Sequence, residues 1–218
     1  MSRRLRWGSP CTRAFPNAYI STDEPPGRSV AGRVLCALAA AGVGYLGLVV
    51  LALSLTATAY DPVTEYVGAY GVGAYAPLMN SGLFLAGVAM AALSIAAYSA
   101  RRGRWGAAGP VLLLVSGVAL ALDGVFHADV AGAAPALHGA VHDFVGVAFF
   151  ASASMGVLLV NRGWRAFLPM LLSLLAAFAL AGLDVAVSLG VAGLAERAAM
   201  LAVFGSSLVT AVRLYGLA

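Results

Sequence analysis

Six stretches of mainly apolar residues recur along the chain, most of them about 20 residues or longer, the length needed to cross the roughly 30 Å hydrocarbon core of a bilayer as a helix. They run Val34–Thr58, Pro77–Tyr98, Gly106–Leu122, Leu137–Val160, Ala166–Ser188 and Leu194–Tyr215, with short polar gaps between. Charged residues make up only 10% of the 218, against 61% hydrophobic; a water-soluble domain carries about 25% charged residues. So few ionic groups cannot clothe a water-facing body, so lipid must be the solvent over most of the surface. In lipid the backbone has to satisfy its own hydrogen bonds, which leaves helices as the simplest solution. The expected fold class is all-α: a polytopic membrane protein built as a six-transmembrane-helix bundle.

Two prolines fit this division. Pro77 opens the second run and Pro110 lies in the first turns of the short third one, where helix N–H groups have no intrahelical partner to lose. Residues 1–32 differ in kind. Pro10, Pro16, Pro25 and Pro26, mixed charge and no periodicity predict a disordered basic cytoplasmic leader, followed by a membrane domain over 33–218. The first apolar run is too long for the core of a cleaved signal peptide, so it is expected to remain as the first span.

Charge placement orients the bundle. All 13 basic residues are Arg. The leader, the Arg101–Arg104 turn, the Arg162–Arg165 turn and the tail with Arg213 fall on one side and hold every Arg except Arg197. Arg-rich loops stay in the cytoplasm, and an even number of spans agrees, so both termini are expected inside. Arg without Lys, with abundant Ala and Gly, suggests a GC-rich bacterial host and hence the bacterial plasma (inner) membrane. The net charge of +4 is orientation signalling with no basic, aromatic-interleaved stripe, so no nucleic acid partner is expected. The expected partners are the lipid bilayer and a hydrophobic ligand or lipid; the oligomeric state is left open. Tyr60, Tyr66, Tyr70 and Tyr75 are expected at the outer interface, and Tyr98, Trp105, Trp164 and Tyr215 at the inner one. Gly42, Gly44 and Gly47 would allow close helix packing. Cys11 and Cys36 predict neither a disulfide framework nor a Cys-based metal site.

The acidic residues outside the leader all map to the outer half: Asp61, Glu65, Asp123, Asp129, Asp143, Asp184 and Glu196. His127, His138 and His142 join them, as do Asn80 and Ser81. Asp61, Glu65, Asp129 and Glu196 can be ordinary helix-end residues. Asp123, His138, His142, Asp143 and Asp184 fall in or beside apolar runs, where a charge is costly and needs a partner. His138 and His142, at i and i+4, share one helical face and with Asp123 form a candidate metal set, with His127 a further ligand; zinc is the cofactor such a set could hold. Asp123, Asp143 and Asp129 are the candidate catalytic carboxyls, Asp143 or Asp129 as general base. Asn80, Phe126, Asp184 and Arg197 are candidate substrate contacts. A hydrogen-bonded packing cluster, with Asp143 or Asp184 paired to His or to Arg197, is the plain alternative. Ser152, Ser154, Ser206, Ser207 and Thr210 are expected to bond to their own helix backbone or across helices.

Three stretches carry a resemblance. Glu65-Tyr-Val-Gly-Ala-Tyr-Gly with Ala76-Pro-Leu-Met-Asn80 is one. Asp123-Gly-Val-Phe-His-Ala-Asp129 with Leu137-His-Gly-Ala-Val-His142-Asp143 is the second, and Gly193-Leu-Ala-Glu-Arg197 the third. Together they resemble a bacterial membrane family, the domain of unknown function 998, over roughly residues 34–215. The resemblance implies a six-helix membrane fold without an assigned activity. It also implies that Asn80, Gly124, Phe126, Asp129, His138 and His142 matter to it. Family members often have Pro where this chain has His127, so a site built on His127 would not be a family property. Three functions stay open: a zinc-dependent or acid-catalysed intramembrane enzyme acting on a lipid or isoprenoid, a transporter subunit, and a non-catalytic membrane partner.

Overall fold

The computed structural model describes residues 29–100, 104–129, 134, 136–161, 168, 170–172, 175, 179 and 189–217. Its main helices are α1 (Val30–Thr56), α2 (Ala76–Ala100), α3 (Ala108–Asp123), α4 (Leu137–Asn161) and α5 (Ala192–Leu217). Four of them, α1, α2, α4 and α5, are long and apolar enough to cross a membrane, which makes the chain a multi-pass membrane protein. α3 has 16 residues; at about 1.5 Å per residue it reaches roughly 24 Å, short of the hydrocarbon core. Most of the expected fifth run, Ala166–Ser188, and the expected leader lie outside the described residues, apart from the leader's last few positions.

Helix ends follow local chemistry. α1 begins four residues before its apolar run because the Ser29 side chain accepts from Gly32 N at 3.1 Å, satisfying one of the orphan donors of the first turn. At its other end Thr56 Oγ1 donates to Ala52 O at 2.8 Å. One face of α1 is buried, through Cys36, Ala39, Val43, Leu46, Val49 and Leu53 at spacings of three and four. The opposite face carries Leu38, Leu48, Leu51 and Leu55, with Leu48 66% exposed. On α5, Leu201 is 76% exposed. Apolar side chains on the faces turned away from the core are what lipid, and not water, accommodates.

The helices follow one another around the bundle: α1 on α2, α2 on α3, α3 on α4, and α5 back on α1 with a lighter contact to α4. Without a hydrophobic drive between helices in lipid, close backbone approach has to hold them. Gly87 and Gly117 provide it between α2 and α3: a Cβ on Gly87 would stand 2.5 Å from Ala121 N, and one on Gly117 2.7 Å from Gly87 O. Ser94 Oγ adds a buried bond to Pro110 O at 2.6 Å. Of the three small residues expected to pack α1, Gly42 lies against Ala89, whereas a Cβ on Gly44 or Gly47 would meet nothing within 4 Å among the described residues. Ser152, Ser154, Ser207 and Thr210 donate to carbonyls four residues earlier in their own helices, as expected. Near the expected inner ends Asn161 Nδ2 bridges α4 to Thr210 Oγ1 of α5 at 2.7 Å.

The segment between α1 and α2 folds back onto the end of the bundle as a strap. It contains two 3-10 turns, Val67–Gly71 and Gly73–Tyr75, joined through Val72; the second opens on Gly73 at φ 75°, a backbone region that suits glycine. Val67 and Tyr70 are each only 1% exposed. Tyr70 is therefore a core residue and not part of an interfacial belt, and Tyr60 packs edge-on against it with ring centroids 5.1 Å apart.

Candidate functional site

Four helix ends, of α2, α3, α4 and α5, and the strap converge at the end of the bundle expected to face outward. α3 stops at Asp123, and the chain turns through Gly124, whose missing side chain leaves room for Asn80 O of α2. This turn brings Phe126 O to α4, where His142 Nδ1 meets it at 2.9 Å. A carbonyl only accepts, so Nδ1 carries the proton and Nε2 of the neutral ring is the basic nitrogen. Asp123 Oδ1 lies 2.8 Å from the same Nδ1, yet that N–H is spent on Phe126 O and the buried Oδ1 receives no hydrogen bond. His142 Nε2 looks toward the strap, where a Cβ on Gly68 would stand 2.7 Å from it.

His142 and Asp123 form part of the wall of a cavity of about 850 Å³, within the usual range for a small-molecule site. Val67, Met79, Leu83, Leu120, Phe149 and Met200 give it apolar walls, and Glu65, Asp129, Asp143 and Glu196 add further carboxyls. Gly146 of α4 also lines it, and a Cβ there would meet nothing within 4 Å among the described residues.

The strap is latched to the first turn of α5. Leu194 N donates to Val63 O at 3.0 Å, and Glu196 Oε2 accepts from Val67 N. Arg197 donates to Glu65 O at 2.9 Å, Tyr70 Oη at 3.1 Å, Ser54 Oγ at 3.3 Å and Gly193 O at 3.0 Å. Gly193 has no side chain because the Glu65 carbonyl occupies that space. The short motif from Gly193 to Arg197 thus acquires a physical reason: a gap, a free N–H, a carboxylate and a guanidinium, all used on one loop.

The other expected site residues distribute as follows. Asn80 Nδ2 donates to Gly71 O at 3.2 Å, pinning the strap to α2, while its Oδ1 is buried without a partner. Asp129 Oδ2 accepts from Ala136 N at 3.0 Å just before α4, and its carboxylate fills the space beside Gly139. Asp143 is exposed on the cavity wall. His138 does not join His142; it stacks on His127 with centroids 4.7 Å apart and touches Phe126 at 5.0 Å. Among the described residues, no three His, Cys, Asp or Glu side chains are grouped so as to hold a metal ion. The described donors around His142 do not fit a three-ligand zinc site. Asp184, expected to pair with Arg197, lies outside the described residues. Glu196, Tyr70, Gly68 and Ser54 were not singled out by the sequence as parts of this site.

A family model described as a protein of unknown function (DUF998) matches residues 27–213. No curated protein and no solved structure matches the chain.

Proposed function

The chain belongs to the DUF998 family, and from that premise we propose that it binds, and acts on, a molecule with an apolar tail in the cavity at the outer end of the bundle, a lipid or isoprenoid being the class that fits. The observation that carries this is the contact of Asp123 with His142 on the wall of an otherwise largely apolar cavity. Phe126 O fixes the ring tautomer, so His142 Nε2 is the proton acceptor and Asp123 the positioning carboxylate that favours the imidazolium once it forms. Asp143 and Asp129 sit farther out, and Asp129 serves chiefly to cap the start of α4. Asn80, Phe126 and Arg197 shape the site through the backbone they hold. The arrangement belongs to a bundle with both termini in the cytoplasm, a reading that the Arg distribution supports; the four long helices account for four of the six expected spans.

The test is retention. Wild-type protein purified in dodecyl maltoside is extracted with organic solvent and the extract examined by mass spectrometry. One apolar-tailed species at near-stoichiometric yield is expected from wild type. It should be lost from Gly146→Leu, whose Cβ enters open space on the cavity wall. Conversion of that species on incubation should disappear in His142→Ala. Equal retention by wild type and Gly146→Leu would sink the proposal.

A further inference from the structure

The cavity is closed at its inner end. Its apolar wall runs down four helices as far as Leu83 on α2, Leu120 on α3, Phe149 on α4 and Met200 on α5. One turn farther in on the same faces stand Ala86, Ser116, Ala153 and Val203, each 0% exposed. All four walls thus stop against packed helix. The Phe149 ring closes the gap between α4 and α5, its centroid 5.5 Å from that of Phe204, which is itself buried. Polar groups sit at the other end: Thr64 and Glu65 of the strap, Asp129, and His142 and Asp143 near the start of α4. An amphiphile therefore has one orientation open to it, head at His142 and tail toward Phe149.

The depth sets a length. Lining residues on α4 run from His142 to Phe150, a rise of about 12 Å at 1.5 Å per residue. An extended alkyl chain advances about 1.25 Å per carbon, from bonds near 1.52 Å at close to a tetrahedral angle. About ten carbons cover the distance. We propose that Phe149, backed by Phe204, is a floor that limits the ligand's tail to about ten carbons. The site then takes a short-tailed amphiphile and excludes the long acyl chains of bulk phospholipid. This rests on the cavity being the ligand site, as argued above. A tail escapes the limit only by turning out through the side, where Val147 lines the cavity and is 71% exposed. Turning out there forfeits the contacts with Phe149 and Met200 and leaves the space beside them unfilled.

The experiment offers the full-length protein an equimolar mixture of n-alkanols from octanol to hexadecanol, in a sterol-based detergent that brings no linear tail of its own. The protein is repurified, and bound alcohols are measured against those in the micelles by gas chromatography with mass spectrometry. Taking the ratio to the micelle cancels the general preference of a longer tail for an apolar phase. Wild type should hold octanol and decanol at least fivefold better than tetradecanol and hexadecanol; this arm needs no variant. Phe149→Ala opens the space down to Ala153, about one helical turn or 5.4 Å, and should raise the limit by about four carbons. Met200→Trp should lower it, so that octanol is held at least fivefold better than decanol. A flat ratio from octanol to hexadecanol in wild type overturns the floor and leaves the cavity standing as a ligand site. A wild-type limit that moves in neither variant overturns its assignment to Phe149. Retention no higher in wild type than in Gly146→Leu overturns the cavity itself as a ligand site, and the floor with it.

Discussion

Replacing Arg197 by Gln should loosen the strap more than it disturbs the bundle. The guanidinium reaches three groups outside its own helix: Ser54 Oγ, Glu65 O and Tyr70 Oη. It also lies over the Tyr70 ring, 5.6 Å from the centroid. Polar contacts within membrane proteins average about 0.6 kcal/mol each, which for three bonds comes to about 2 kcal/mol; bonds from a charged donor run higher, about 1.5–3 kcal/mol each. Because Arg197 is only half-buried, the lower figure is the better guide. A loss of about 2 kcal/mol raises the local opening of the strap about 30-fold. The Val67 and Val72 amides, bonded to Glu196 Oε2 and Ala69 O, should then exchange with deuterium about 30-fold faster, while amides in the middle of α2 keep their rates. Arg197→Lys should recover less than half the protection, because a point donor cannot serve three acceptors in a planar fork. Tyr70→Phe should add little in the Arg197→Gln background. Unchanged exchange at Val67 in Arg197→Gln would refute the latch.

Further expectations concern the packing, the cavity and the topology. Gly87→Val should destabilise the protein by about 1–3 kcal/mol or more in mixed-micelle SDS unfolding, since its side chain meets the α3 backbone. Gly44→Val, facing open space, should stay within about 0.5 kcal/mol; equal effects would refute the packing argument. Gly68→Ala should displace the His142 ring and reduce retention of the bound molecule several-fold, with a shift in the His142 imidazole NMR signals; an unmoved signal would show that the two do not touch. Asn161→Ala should cost about 1 kcal/mol in the same SDS assay. In a Cys11→Ser, Cys36→Ala background, Asp61→Cys should react with an impermeant maleimide on intact cells and Arg104→Cys only after lysis; the reverse pattern would invert the topology.

The helices were legible because the membrane imposes a long apolar period that little else imitates. The run Leu137–Val160 became a helix over Leu137–Asn161, and Pro77–Tyr98 one over Ala76–Ala100. The crowding of His and Asp toward one end was legible too, since charge is tolerated only where helices end or face inward. Their pairing was not. Spacing of i and i+4 joins His138 to His142 within one helix, whereas the actual partner of His142 comes from α3 and its turn, through Phe126 O and Asp123. Tyr70 was assigned by depth alone, and depth cannot say that a loop folds back and buries its middle. The pair Gly68 and Gly71 around Tyr70 was the available signal: each has no side chain where another element, His142 or Asn80, comes close. Glu196 looked like an ordinary helix-end acid because its partner, the Val67 N–H, belongs to the backbone and leaves no mark on the sequence.

The same constraint explains where specificity can reside in such a chain. Along the lipid-facing surfaces one large apolar side chain can replace another, so those positions say little about function. Demanding positions are those where a side chain cannot be added, such as Gly124 or Gly193, or where one polar group serves another element, such as Asn80, Asp123, His142 and Arg197. Apart from helix-packing positions such as Gly87, Gly117 and Asn161, these six lie together at one end, around the strap and the cavity beneath it. A bundle whose task was only to stand in the membrane would have no need to bury Asp123 Oδ1 without a donor when Asn or Leu would cost less there. Retaining that carboxylate is therefore the feature to explain, and its place 2.8 Å from His142 Nδ1, where it favours the imidazolium once that forms, explains it. If Asp123→Leu proved as stable as wild type or more so, yet lost the bound molecule, the carboxylate would be serving ligand and not fold; if it simply unfolded while Asp123→Asn did not, Asp123 would be serving the fold.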